Sequence, residues 1–236
     1  MQAIILAGGL GTRLKTVVAN KPKVLSPVAG KPFLHFIIHF LQQQGITQYI
    51  FALGYLHEQV LDYLQQNHPN LAYQYTLEQT PLGTGGGIKL AMQKVTTEPV
   101  IIVNADTFFD IDLQQMMHFH ITANAQCTIG VKKMENFDRY GTVEIDNQNN
   151  IIAFKEKTPT KIGFINAGYL IFNKSFFLEQ TAHLPPVFSY EKDFLEKVLT
   201  NATIKAFESN GYFIDIGIPQ DYALAQQVFQ EKPFTK

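Results

Sequence analysis

Three groups of residues have the types and spacing to do chemistry. The first is a glycine-rich run, Leu6-Ala7-Gly8-Gly9-Leu10-Gly11-Thr12-Arg13-Leu14, directly after an apolar stretch. Its glycines let the backbone approach a ligand closely, and successive N–H groups can line an anion-binding hollow. Arg13 supplies a planar fork matched to phosphate oxygens, and Lys21-Pro22-Lys23 brings two more cations beside a rigid proline. The run is neither of two common phosphate loops. G-x-x-x-x-G-K-S/T is absent, and G-x-G-x-x-G fails because Leu14 stands where its third glycine belongs. An ordinary tight turn is the bland alternative, and the glycines together with Arg13 and Lys23 weigh against it.

The second group centres on Asp106, just past the apolar run Val100-Ile101-Ile102-Val103-Asn104. A carboxylate at the end of a buried strand suits Mg²⁺, which takes one or two carboxylates plus phosphate oxygens. A lone Asp there is often only a turn former. Asp110 and Asp112 are rivals, better read as caps of the next helix. The third group begins at Glu78 and runs through Gln79-Thr80-Pro81-Leu82-Gly83-Thr84-Gly85-Gly86-Gly87. By itself it is a flexible lead into a helix N-terminus, able to bind an anion or nothing. His35 and His39 are four apart on an expected helix but lack a supporting carboxylate, so they read as packing or surface residues.

The elements that must position these residues alternate between short apolar runs and amphipathic stretches. Strands are expected at residues 2–7, 49–53, 71–76 and 100–104, with helices at 31–44, 57–66 and 85–94. That β-α-β-α-β-α-β order implies a largely parallel sheet covered by helices on both faces. Ligands then sit at the carboxyl ends of the strands, where all three groups fall. Beyond Cys127 closely spaced strands at 127–131, 142–145, 151–154 and 168–172 suggest antiparallel additions. Helices return at 190–199, capped by Ser189, and at 220–229. The expected fold class is α/β: a Rossmann-like three-layer α/β/α arrangement around a mixed, mainly parallel central sheet.

Composition bounds what remains. The 236 residues are 46% hydrophobic, with 19 Phe and 10 Tyr, enough for a substantial core. A net charge of −1 without a Lys/Arg cluster argues against nucleic acid or an anionic membrane as partner. A single cysteine, Cys127, excludes an internal disulfide and fits a reducing compartment. The apolar run at residues 3–7 is too short for a signal peptide or a membrane span, so a cytoplasmic protein is expected.

The glycine run with Arg13 and Leu14, followed by Pro22-Lys23, resembles the signature of the sugar-1-phosphate nucleotidyltransferases, and the resemblance extends to about Asp221. These enzymes join a nucleoside triphosphate to a sugar 1-phosphate and release pyrophosphate. The resemblance implies one domain over residues 1–236, with a nucleotide-binding half (1–125) and a sugar-phosphate-binding half (126–236). It implies catalytic roles for Arg13, Lys23 and Asp106, and nucleotide contacts from Leu6, Ala7, Gly8, Gly9, Gly11, Thr12, Gly83 and Thr84. It places Glu78 at the base-reading position. A carboxylate only accepts hydrogen bonds and suits the adjacent N1–H and N2–H donors of guanine, which favours GTP; the alternative is a solvated Glu78 with the base read by backbone groups.

Asp215, in Gly211-Tyr212-Phe213-Ile214-Asp215-Ile216-Gly217-Ile218-Pro219, matches the acidic residue that completes the family's Mg²⁺ site with Asp106. Gly141, Glu156, Lys157 and Asn166 match sugar-phosphate contacts; without the resemblance, residues 155–157 would be a solvated charge run. One departure is Lys15-Thr16-Val17-Val18, where many relatives carry Pro-Leu-Thr. Within the family the shared segments most resemble the guanylyltransferases of D-glycero-α-D-manno-heptose 1-phosphate, with mannose 1-phosphate as the rival acceptor. A silent regulatory relative would have lost Arg13, Lys23, Asp106 or Asp215, and all four are present. A glycosyltransferase reading could use Asp110-Ile111-Asp112 as its metal motif but leaves the glycine run without a role. Any homo-oligomer is expected to form through this same domain.

Overall fold

The computed structural model describes residues 1–9 and 20–231. In chain order it contains β1 (Gln2–Leu6), β2 (Pro27–Val28), β3 (Lys31–Pro32), α1 (Phe33–Gln43), β4 (Gln48–Leu53), α2 (His57–Asn67), β5 (Tyr73–Leu77) and α3 (Gly83–Met92). There follow β6 (Val100–Asn104), β7 (Thr107–Phe109), α4 (Leu113–Thr122), β8 (Cys127–Phe137), β9 (Thr142–Ile145), β10 (Ile151–Lys155) and β11 (Thr160–Phe172). The chain closes through α5 (Lys174–Gln180), a π-helical turn at Tyr190–Leu195, α6 (Glu196–Val198), β12 (Ile204–Glu208), β13 (Phe213–Asp215) and α7 (Pro219–Glu231).

Four parallel strands, in the order β6-β1-β4-β5, form the expected first half, with β5 at its partly exposed edge. The chain moves outward from β1 to β5 and then returns to the other side of β1 as β6. That reversal opens a crevice at the carboxyl ends of β1 and β6, the usual ligand position in such sheets. The ladder runs past the strand ends: Ala7 N–H donates to Ala52 O at 2.9 Å and Ala105 N–H to Leu6 O at 3.1 Å. The loops carrying the chemistry are therefore tied to the sheet.

Side chains alternate across the sheet because the strand period is two. Ala3 and Ile5 face a core shared with α1, α2, α4 and α7, and Ile4 faces one shared with α3 and α5. Helices thus cover both faces, as the alternating pattern implies. Cys127 is buried in the second core, which pushes its thiol well up.

The second half is antiparallel except for β12, which runs parallel to β8. Its strands are longer than expected: β8 and β11 pair along most of their length and project beyond the core. Their outer halves mix polar and apolar residues, so hydrophobic runs marked only the inner halves. β11 pairs with β9 through Phe164 and with β6 from Tyr169 onward. Its register shifts between Asn166 and Leu170, where Gly168 adopts φ +76°.

Other boundaries also move. The helix expected at 31–44 starts at Phe33, because Lys31–Pro32 pairs with Pro27–Val28 and Phe33 N–H donates to Ser26 O at 3.0 Å. The strand expected from 71 begins at Tyr73, since Leu71 N–H closes a turn on His68 O at 3.0 Å. Only Asp112 caps α4, its Oδ1 accepting from Gln115 N–H at 2.8 Å. Asp110 instead joins the 209–212 loop: its N–H donates to Tyr212 O at 2.8 Å. Ser189 caps the π-helical turn through Lys192 N–H, as expected.

His35 and His39 pack with His68, with ring centroids 6.2 Å and 5.9 Å from His35. Lys31 Nζ lies 3.2 Å from His35 Nε2. Burial first, and then the Lys31 charge, push His35 down to about 4. The unfolded chain therefore takes up this proton first, near the ordinary value of about 6.5, and stability falls as pH drops from there toward 4. Urea unfolding of a His35→Gln variant should show a shallower loss across that window, by up to about one proton. Equal slopes in the two proteins would contradict it.

Candidate active site

Lys23 follows Pro22 in a tight turn over Lys23–Leu25, where Leu25 N–H donates to Pro22 O and Ser26 N–H to Lys23 O. Its side chain is only 13% exposed, and its ammonium lies 2.5 Å from Asp106 Oδ2 and 3.4 Å from Asp215 Oδ1. Asp106 follows β6, and Asp215 ends β13, whose antiparallel pairing with β7 sets Asp215 opposite Thr107. Ile216 N–H donates to Asp106 O at 3.0 Å, locking the two segments together. Gly217 N–H donates to Asp215 Oδ1 at 2.7 Å. A Cβ on Gly217 would lie 2.8 Å from that oxygen and 3.0 Å from Lys23 Nζ, so glycine here makes room for the ion cluster.

Among the described residues, two carboxylates thus form ion pairs with the one ammonium of Lys23. Burial, and then the Asp106 charge, push Asp215 above its ordinary value, against the opposing pull of Lys23. A further cation would relieve that repulsion. Hard carboxylate oxygens are the donors Mg²⁺ takes, with phosphate oxygens and water completing its shell, so these residues fit such an ion.

Beside the cluster lies a hollow of about 450 Å³, whose lining includes Leu6, Ala7, Gly8 and Gly9 from the first loop, and Glu78, Gly83 and Thr84 from the second. Lys23, Asn104 and Asp106 complete its floor. Gly54 lets the first loop settle, because a Cβ there would lie 2.8 Å from Gly8 O. At Gly9 a Cβ would meet no described residue within 4 Å, so no described neighbour requires glycine there. Gly11, Thr12 and Arg13 lie outside the described residues.

Glu78 lines this hollow. Its N–H extends the β5 ladder to Leu53 O at 2.9 Å, and its Oε2 accepts from Leu82 N–H at 3.0 Å. Burial pushes its carboxyl up, and the Leu82 N–H partly offsets this. Its Oε1 would lie 2.6 Å from a Cβ on Gly87, so that glycine makes room for the carboxylate. Part of the start of α3 is already engaged within the protein. Gly85 N–H donates to Phe188 O at 2.9 Å, and Cβ atoms on Gly85 and Gly86 would strike the Phe188 ring and Pro186 O at 2.3 and 2.2 Å. These two glycines answer to packing by the 186–188 segment.

A second hollow, of about 170 Å³, adjoins the first at Asn104. Gly141, Lys157 and Asn166 line it. Glu156 does not: it is exposed and ion-paired with Lys192. Asn166 occupies the kink of β11 and is heavily engaged within the protein. Its Nδ2 donates to Tyr190 OH at 2.8 Å and to Glu191 Oε2 at 3.0 Å, and its Oδ1 accepts from Gly168 N–H at 3.0 Å. Glu191 therefore presents a carboxylate to this hollow, pushed up chiefly by burial. Its sequence signal was only that of an acidic residue in a helix's first turn, which a helix dipole explains without further chemistry.

The sequence and the fold have counterparts among known proteins. Residues 2–232 match the nucleotidyl transferase family. A D-glycero-alpha-D-manno-heptose 1-phosphate guanylyltransferase of Aneurinibacillus thermoaerophilus is 47% identical over 230 residues, covering 98% of this chain and 99% of that protein. An enzyme of the same description from Campylobacter jejuni is 41% identical over 222 residues, covering 94% and 97%. The crystal structure of HddC from Yersinia pseudotuberculosis complexed with GMP-PN is 34% identical, has a TM-score of 0.87 and covers 97% of this chain and 99% of that one. On this match of sequence and fold, the chain belongs to the nucleotidyl transferase family.

Proposed function

We propose that the chain transfers GMP from GTP to D-glycero-α-D-manno-heptose 1-phosphate, giving GDP-heptose and pyrophosphate. The observation that carries this reading is the meeting of two hollows at Asn104, beside the Lys23–Asp106–Asp215 cluster. One is large enough for a nucleotide and the other for a sugar ring. The choice of substrates is supported by the two relatives named for that reaction.

An oxygen of the sugar phosphate attacks the α-phosphorus of GTP, and the bond to the pyrophosphate oxygen breaks. The attacking phosphate is already ionised, so no side chain need remove a proton from it. The protein's task is to hold two anions in line and neutralise them. Lys23 and, on the strength of the sequence resemblance, Arg13 stabilise the triphosphate. Lys157 serves the acceptor phosphate, and Glu191 with the Asn166 network accepts from sugar hydroxyls. Mg²⁺ held by Asp106 and Asp215 would supply Lewis acidity and charge neutralisation. Gly8, Gly9, Gly83 and Thr84 let the nucleotide lie against the backbone. Glu78 reads guanine: among the described residues no backbone N–H donates to Oε1, and Oε2 retains a second lone pair beside its bond to Leu82.

Asp106→Ala should abolish turnover while circular dichroism and the melting profile stay near the parent's. Lys23→Met should lose about 3–4 kcal/mol of transition-state stabilisation, a fall in kcat of about 10²–10³-fold, by analogy with removal of one oxyanion donor. Near-normal rates in either variant would refute the assigned centre. Substrate identity is tested by pyrophosphate release with four nucleoside triphosphates against heptose, mannose and glucose 1-phosphates. Release with GTP and the heptose phosphate is expected. One carbon group discriminates by only about 1–3 kcal/mol, so weaker release with mannose 1-phosphate is compatible. Release only with another triphosphate would overturn the reading of Glu78.

A further inference from the structure

The turn between β8 and β9 carries two residues, Tyr140 and Gly141, that line the smaller hollow. A third residue of this turn, Arg139, faces elsewhere. Its Nη1 lies 2.8 Å from Asp221 Oδ2 in the first turn of α7, with side chains 43% and 18% exposed. Its guanidinium also lies over the Tyr140 ring, with Cζ 5.5 Å from the centroid. Tyr140 in turn meets Phe213 edge-on at 5.8 Å, and Phe213 opens the three-residue strand that ends in Asp215. The acceptor turn is therefore fastened on both sides of Asp215, by an aromatic contact before it and an ion pair after it.

The pair also disposes of a charge. Burial raises the Tyr140 hydroxyl most, and the charges of Asp215, Asp221 and Asp106 each raise it further, so all three act on this one ring. An unpaired Asp221 would add to the negative field that an anionic acceptor must enter. Neither Arg139 nor Asp221 lines the nucleotide hollow.

We propose that the Arg139–Asp221 ion pair is a positioning latch, holding the turn with Tyr140 and Gly141 against the Asp215 segment so that the sugar phosphate meets the reacting phosphorus in register. The proposal rests on reading the smaller hollow as the acceptor site. Arg139 here is a positioning residue: it acts through the turn and through Asp221.

The test compares Arg139→Met, Asp221→Asn and the double variant. Under the latch each single change raises KM for the sugar phosphate about tenfold and leaves KM for GTP within about twofold. The double variant should be no worse than either single, because both remove one interaction. If Arg139 instead gripped the acceptor phosphate directly, Asp221→Asn would be harmless or would tighten acceptor binding, and the latch would fall. Amide hydrogen exchange across residues 138–141 needs no substrate and keeps the two readings apart. Faster exchange in Asp221→Asn than in the parent is expected, and unchanged exchange would overturn the latch even if the acceptor assignment stands. Loss of the acceptor assignment would show as unchanged KM values alongside faster exchange, which refutes the catalytic part of the proposal.

Discussion

Lys23 is held between Asp106 and Asp215, and through it three distant stretches of chain meet. Each partner is set by a different element. A proline-led turn sets Lys23, the end of a buried strand sets Asp106, and a three-residue ladder on β7 sets Asp215. Bringing two carboxylates together under partial burial costs free energy. The Asp215 carboxyl is raised by burial first and by the Asp106 charge second, against the pull of Lys23. A divalent cation placed there would relieve the repulsion between the two carboxylates.

The rest of the structure keeps this centre in place and in reach. The parallel half ends its strands around it, and the ladder continues into the glycine loop and Ala105. The antiparallel half returns so that the register shift of β11 sets Asn166 in the smaller hollow, whose lining shares Asn104 with the larger one. Asn166 spends its amide on Tyr190, Glu191 and Gly168, which makes it a fixed brace for the acceptor wall.

Much of the first half was legible because buried parallel strands read as unbroken apolar runs, as in Val100-Ile101-Ile102-Val103. The candidate residues at their ends followed from that. Less was legible where pairing is short or mixed. The β7–β13 ladder has too few residues to show a period, and the outer half of β11 mixes exposed and buried positions. Glycines carried a double meaning that spacing alone could not separate. A Cβ on Gly9 would meet no described neighbour, whereas Gly85 and Gly86 fit against Phe188 and Pro186. Glu156 and Glu191 show the same limit in reverse. The residue in the familiar motif is exposed on Lys192, and a carboxylate from the π-helical turn lines the hollow.

The central claim is that Asp106 and Asp215 form one cation site which Lys23 shares with phosphate. Anomalous diffraction from crystals grown with Mn²⁺ and a non-hydrolysable GTP analogue tests it directly. The account predicts a single strong peak bridging Asp106 and Asp215, with the Lys23 ammonium turned from Asp106 toward the triphosphate. A peak at Asp110 and Asp112 instead, or nucleotide bound with Lys23 still locked between two metal-free carboxylates, would contradict it.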